Sequence, residues 1–160
     1  MTTTLPHQFK GFLKFLEAHR VEYLMLGGHA VAFYGYPRGM QDFDVWVHAT
    51  KENATRAYNA IAALGFPCDG IDTSTLSDPN IGIRMGVPPM WLKIITFATG
   101  LVFADAYKNR KRVKYDEAEA NMISLEDLIR NKQSTGRNKD LADLGHLPGG
   151  SLSNKHHCNT

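Results

Sequence analysis

Apolar residues at Phe9, Phe12, Leu13, Phe15 and Leu16 recur at helical spacing, so the pattern predicts an amphipathic helix over about residues 6–19. A short apolar run, Glu22 to Leu26, is closed by Gly27 and Gly28, and "HAVAFYG" after it has room for one or two helical turns before Gly35. Asp42 to His48, "DFDVWVH", alternates polar and apolar positions and predicts a strand. Thr50 is placed to cap a helix in "KENATRAYNAIAAL", with Ala54, Ala57, Tyr58, Ile61 and Leu64 turned inward. The turn-forming residues of "GFPCDGIDTSTLSDPN" predict a loop, and Ile81 to Met85 and Trp91 to Thr96 predict strands on either side of "GVPP". A helix in "VFADAYKNR" precedes two segments, "KRVKY" and "EANMI", that suit a hairpin or ladder. Ser124 caps "LEDLIRNKQ", Gly136 interrupts, and "KDLADLGHL" makes a last helix. This order predicts an α+β fold in which helices flank a small mixed β-sheet.

A chain of 160 residues with 43% hydrophobic content suits one domain, assigned here to 1–147, followed by a flexible polar tail over 148–160. Eighteen Lys and Arg against sixteen Asp and Glu give a net charge of +2, so broad coating of a polyanion has no global electrostatic support. No charged-then-apolar leader opens the sequence, and the apolar run near residue 100 is too short and interrupted to span a bilayer. The expectation is a cytoplasmic protein with no membrane partner. Cys68 and Cys158 lack any pairing or metal-knuckle spacing and read as plain thiols, and His156, His157 and Cys158 as adventitious tail chemistry.

Candidate chemistry lies between Tyr23 and Val47. Residues i and i+2 of a strand project from one face, which sets the Asp42 and Asp44 carboxylates side by side, roughly 6–7 Å apart along the backbone. Two like charges so close call for a cation, and Mg²⁺ is typically held by one or two carboxylates together with water and substrate phosphates. The Gly27-Gly28 pair lets backbone N–H groups approach a ligand closely at the start of a short helix, where a phosphate is favoured. A phosphate cradle followed by a carboxylate pair suits a metal–nucleoside triphosphate complex.

The stretch "GGHAVAFYGYPRGMQDFDVWV" resembles the signature of the nucleotidyltransferase fold of the DNA polymerase β type, and more narrowly the small bacterial AbiEii-toxin-type nucleotidyltransferase domains. "MISLEDLIRNKQSTGRNKDLADL" is similar to the second block of that group, so the resemblance covers about residues 20–147. It implies transfer of a nucleoside monophosphate from an NTP to an acceptor hydroxyl on a tRNA, a protein or a small molecule, with a cognate toxin or antitoxin as a further partner. It also implies Mg²⁺ or Mn²⁺ on Asp42 and Asp44, the nucleotide on Gly27 and Gly28, and phosphate or acceptor contacts from Arg38, Lys132, Arg137 and Lys139.

The chain departs from that pattern at the expected third carboxylate. The matching position in "PPMWLKIITFATG" is Lys93, and no Asp or Glu occurs from Pro79 to Ala104. Lys93 is a lysine snorkelling to solvent, or an ammonium seated between Asp42 and Asp44 in place of a metal, or a substitution that silences the site. The implied functions are accordingly two: an enzyme, or a catalytically inactive nucleotide- or partner-binding module. Met40 is a smaller departure, at a position where relatives often carry a hydroxyl residue. Elsewhere, His29, just after the glycine pair, reads as a packed histidine in preference to a phosphate contact, and the basic run "YKNRKRVKY" as a lysine-protected edge strand or an RNA contact.

Overall fold

The computed structural model describes residues 6–35, 42–65, 70–87 and 90–150. Helix α1 (His7–Ala18) buries Phe9, Phe12, Leu13 and Leu16 completely, the stripe its periodicity requires. Strand β1 (Tyr23–Leu26) runs straight into α2 (Gly27–Tyr34), β2 (Phe43–Val47) follows, and α3 (Lys51–Leu64) starts where the Thr50 hydroxyl accepts from the Asn53 N–H at 3.2 Å. In the segment expected to be loop, Asp72 and Thr75 form a reciprocal capping box around the single turn α4 (Thr73–Leu76). Strands β3 (Gly82–Val87) and β4 (Met90–Ile95), helix α5 (Phe103–Lys108) and strands β5 (Lys111–Tyr115) and β6 (Ala118–Met122) come next. The chain then forms α6 (Leu125–Thr135), capped by Ser124, and α7 (Asn138–Leu144), separated by a left-handed Gly136. At the start of the assigned tail, residues 148–150 lie in a turn in which the Gly150 N–H donates to the Leu147 carbonyl; Cys68 and the rest of the tail lie outside the described residues.

The six strands form one mixed sheet in the order β3-β4-β2-β1-β6-β5. Neighbours pair antiparallel except β2 with β4 and β1 with β6, which are parallel. Alternation along β2 divides the faces: Phe43 stacks on Phe9 of α1 at 4.6 Å, whereas Trp46, two residues beyond Asp44, meets Phe103 of α5 edge-on at 5.1 Å. His29 packs edge-on to Phe9 and Phe43, with Nδ1 2.9 Å from the Tyr115 hydroxyl, so it belongs to the core as expected.

β5 is an edge strand, and its basic run is used within the fold. Arg112 forks onto Glu17 of α1 at 2.8 and 3.1 Å, and Arg110 lies 3.9 Å over the Tyr107 ring. No helix among the described residues is long and apolar enough to cross a membrane.

Candidate functional site

Gly27 opens α2 directly after β1 with φ +72°, a left-handed conformation that suits glycine, and a Cβ there would fall on the Asp44 carboxylate oxygen. The reason for glycine is therefore more specific than easy approach of a ligand: the space beside its backbone is taken by Asp44. That aspartate stands opposite Leu26 on β1 and Lys93 on β4, while Lys93 in turn stands opposite Arg84 on β3. One row across the sheet thus reads apolar, acidic, basic, basic.

Of the readings open for Lys93, the structure has the solvent-facing lysine, and a different cation holds Asp42. Asp42 is held by Arg84, whose Nε and terminal nitrogen donate to its two oxygens at 3.0 and 3.1 Å, and the guanidinium lies 4.3 Å over the Trp91 ring. Lys93 is exposed and makes no ion pair with a described residue; it acts on Asp44 only at longer range. Asp44 Oδ1 is sealed from solvent and lacks a hydrogen-bond partner. Burial pushes the Asp44 carboxyl up to about 6, the charge of Asp42 adds to this, and Lys93, Lys139 and Lys132 oppose it.

The sign of the resulting pH effect is fixed. A folded-state pKa above the unfolded value means that this group's stability contribution is complete below the ordinary carboxylate range and is lost as pH rises through about 6. The loss amounts to at most about 3 kcal/mol. Asp44→Asn is expected to remove it, so that urea unfolding between pH 4.5 and 7.5 shows a flatter decline than in the parent chain.

Asp44 opens into a cleft of about 520 Å³, within the usual size of small-molecule sites. Gly27, Gly28 and Lys93 line the same end, and Lys132, Arg137 and Lys139 come from α6 and the start of α7. Seven of the predicted site residues therefore converge: Gly27, Gly28, Asp44, Lys93, Lys132, Arg137 and Lys139. Asp42 is beside this cleft and engaged by Arg84, and Arg38, like Met40, lies outside the described residues.

Lys132 is not a free cation. It is buried, with its Nζ 3.2 Å from Asp140 and 3.1 Å from Asp143. Asp140 is fully buried; although burial opposes ionisation, Arg137, Thr135 and Lys132 hold its carboxyl well below the usual range. Arg137 is largely exposed while bonding Asp140 at 2.7 Å, and Lys139 next to it is exposed.

As a test of metal fit, Asp44 offers a hard, unpartnered oxygen that suits one divalent ion shared with phosphates, whereas both oxygens of Asp42 are taken. No cluster of three or more acidic, His or Cys side chains suited to a metal occurs among the described residues.

No family model matches the sequence, and no curated protein matches it. Several solved structures share its fold. A candidate nucleotidyltransferase from Thermotoga maritima superposes with a TM-score of 0.63 at 16% identity, over 89% of this chain and 93% of that one. The lincosamide antibiotic adenylyltransferase LnuA, solved with lincomycin bound, superposes with a TM-score of 0.62 at 15% identity, over 91% and 98%. The chain has the nucleotidyltransferase fold.

Proposed function

We propose that the protein binds a nucleoside triphosphate, with Mg²⁺ or Mn²⁺, in this cleft and transfers its nucleoside monophosphate to an acceptor hydroxyl. The observation carrying the reading is Asp44, a carboxylate with an unpartnered buried oxygen, packed on Gly27 at the start of α2 and facing a cleft bordered by cations. The N–H groups of Gly27 and Gly28 would meet phosphate oxygens. Attack of the hydroxyl oxygen on the α-phosphorus would break the bond to the in-line pyrophosphate oxygen, release the hydroxyl proton to water and place leaving charge near Arg137 and Lys139. A divalent ion held by Asp44 would supply charge stabilisation on the phosphoryl oxygens. LnuA acts on a lincosamide antibiotic, so small hydroxylated molecules belong among the acceptors tested, beside tRNA and protein side chains.

A second reading has its own observation. Arg84 already neutralises Asp42 and Lys93 faces Asp44 across the strand pair, an arrangement that suits a nucleotide- or partner-binding module without transfer, such as one half of a toxin–antitoxin or defence pair.

Transfer from each of the four α-labelled NTPs to total RNA, protein and small-molecule acceptors separates the two. Lys93→Asp restores an acid beside Asp44 and is expected to raise labelling by about 10²-fold or more. Silence from both chains with every acceptor, while ATP still raises the thermal midpoint, would remove the transfer reading and leave the binding module.

A further inference from the structure

Phe97 is an unusual residue for the rim of a charged cleft. Half of its surface is exposed, and it lines the same cavity as Lys93 and Asp44. Single exposed phenylalanines are ordinary, but this one sits on a turn secured on both sides. Before it, the Thr96 hydroxyl accepts from the Ile81 N–H at 2.8 Å; after it, the Thr99 carbonyl accepts from Asn131 Nδ2 of α6 at 2.9 Å. Gly100, with φ +83°, brings the same turn so close to Ser134 of α6 that a side chain would have no room. An apolar ring held in the open in this way is organised in advance for a flat partner.

Lys93 and Ile95 project from one face of β4, Phe97 follows just beyond the end of that strand, and all three border the cleft. Two residues of strand at roughly 3.3 Å each carry Ile95 about 7 Å from Lys93, and Phe97 lies farther on, past the bend at Thr96. The cleft thus carries a charged side chain on the strand and an aromatic one past its end, the two kinds of contact that the phosphates and the base of a nucleotide call for. Asn131 also borders the cavity, and its carbonyl oxygen and second N–H have no partner among the described residues. An asparagine amide presenting one acceptor and one donor matches the N6 and N7 edge of adenine.

We propose that Phe97 is the stacking platform for the nucleobase and that Asn131 reads its edge in favour of adenine, an inference that rests on the nucleotide reading of the cleft. Equilibrium binding of ATP, GTP and inorganic tripolyphosphate, all with Mg²⁺, tests it on the native chain and on Phe97→Ala, Phe97→Tyr and Asn131→Ala. Phe97→Ala is expected to weaken ATP roughly ten- to hundredfold, with tripolyphosphate unchanged and Phe97→Tyr near native. Asn131→Ala is expected to bring ATP and GTP to similar affinity. ATP binding by Phe97→Ala at native strength would overturn the stacking platform while leaving the phosphate site intact, and a native preference for GTP would overturn the assignment of adenine. If the native chain bound neither ATP nor tripolyphosphate, the nucleotide cleft itself would fall and the platform with it. Thermal midpoints of the variants within about 2 °C of native exclude misfolding as the cause.

Discussion

Asp140→Asn is expected to destabilise the protein by about 3–5 kcal/mol, the range for breaking a buried ion pair from one side. Asp140 is inaccessible to solvent and receives bonds from Lys132, Thr135 and Arg137. The amide keeps the shape but loses the charge, leaving the buried Lys132 ammonium with Asp143 as its remaining carboxylate. A fall in Tm on the order of 10 °C follows. Because the Asp140 pKa is lowered in the folded state, its contribution is present above the ordinary carboxylate range and is lost as pH falls through and below it. The variant should therefore show a shallower acid limb. Adding Lys132→Met to Asp140→Leu should cost less than the two single changes summed, since it removes both members of the pair; chemical denaturation of the four chains measures this coupling.

Gly27→Ala is expected to cost about 2–4 kcal/mol and to weaken ATP binding at least tenfold, through two separable causes. A left-handed alanine carries about 1–2 kcal/mol of backbone strain, and here the added methyl also displaces the Asp44 carboxylate. Gly65 supplies the control: its φ is +84°, and a Cβ there meets nothing within 4 Å. Gly65→Ala should show the backbone cost alone and native ATP affinity. Equal losses in the two variants, by urea unfolding and ATP titration, would refute the close packing of Gly27 on Asp44.

Much of this arrangement is legible from local pattern. The α1 stripe, the Thr50 and Ser124 caps and the alternation of β2 each depend on neighbours a few residues away, and each produces the expected element. Lys93 as the neighbour of Asp44 is also legible, through the resemblance of the β4 segment to a known strand. Arg84 is not. Its hold on Asp42 exists only because β3 adds antiparallel outside β4, a pairing with no signature near either residue. Lys132 is a less available cation than its sequence suggests for a related reason: α7 folds back at Gly136 and brings Asp140 and Asp143 over it. The one-turn α4 escapes because four residues cannot display a period, although Asp72 followed three positions later by Thr75 is its signal.

The parallel pairing of β1 with β6, with Met25 beside Met122, has a consequence for the nascent chain. The antiparallel β1–β2 pair can form early in synthesis, whereas β6 joins β1 only after β3, β4, α5 and β5 have all been made. The wall contributed by α6 and α7 comes later still. A ribosome-stalled chain ending near residue 120 would already contain Gly27, Asp44 and Lys93 but no α6, so under the proposed function nucleotide binding should begin only when the last helices clear the exit tunnel.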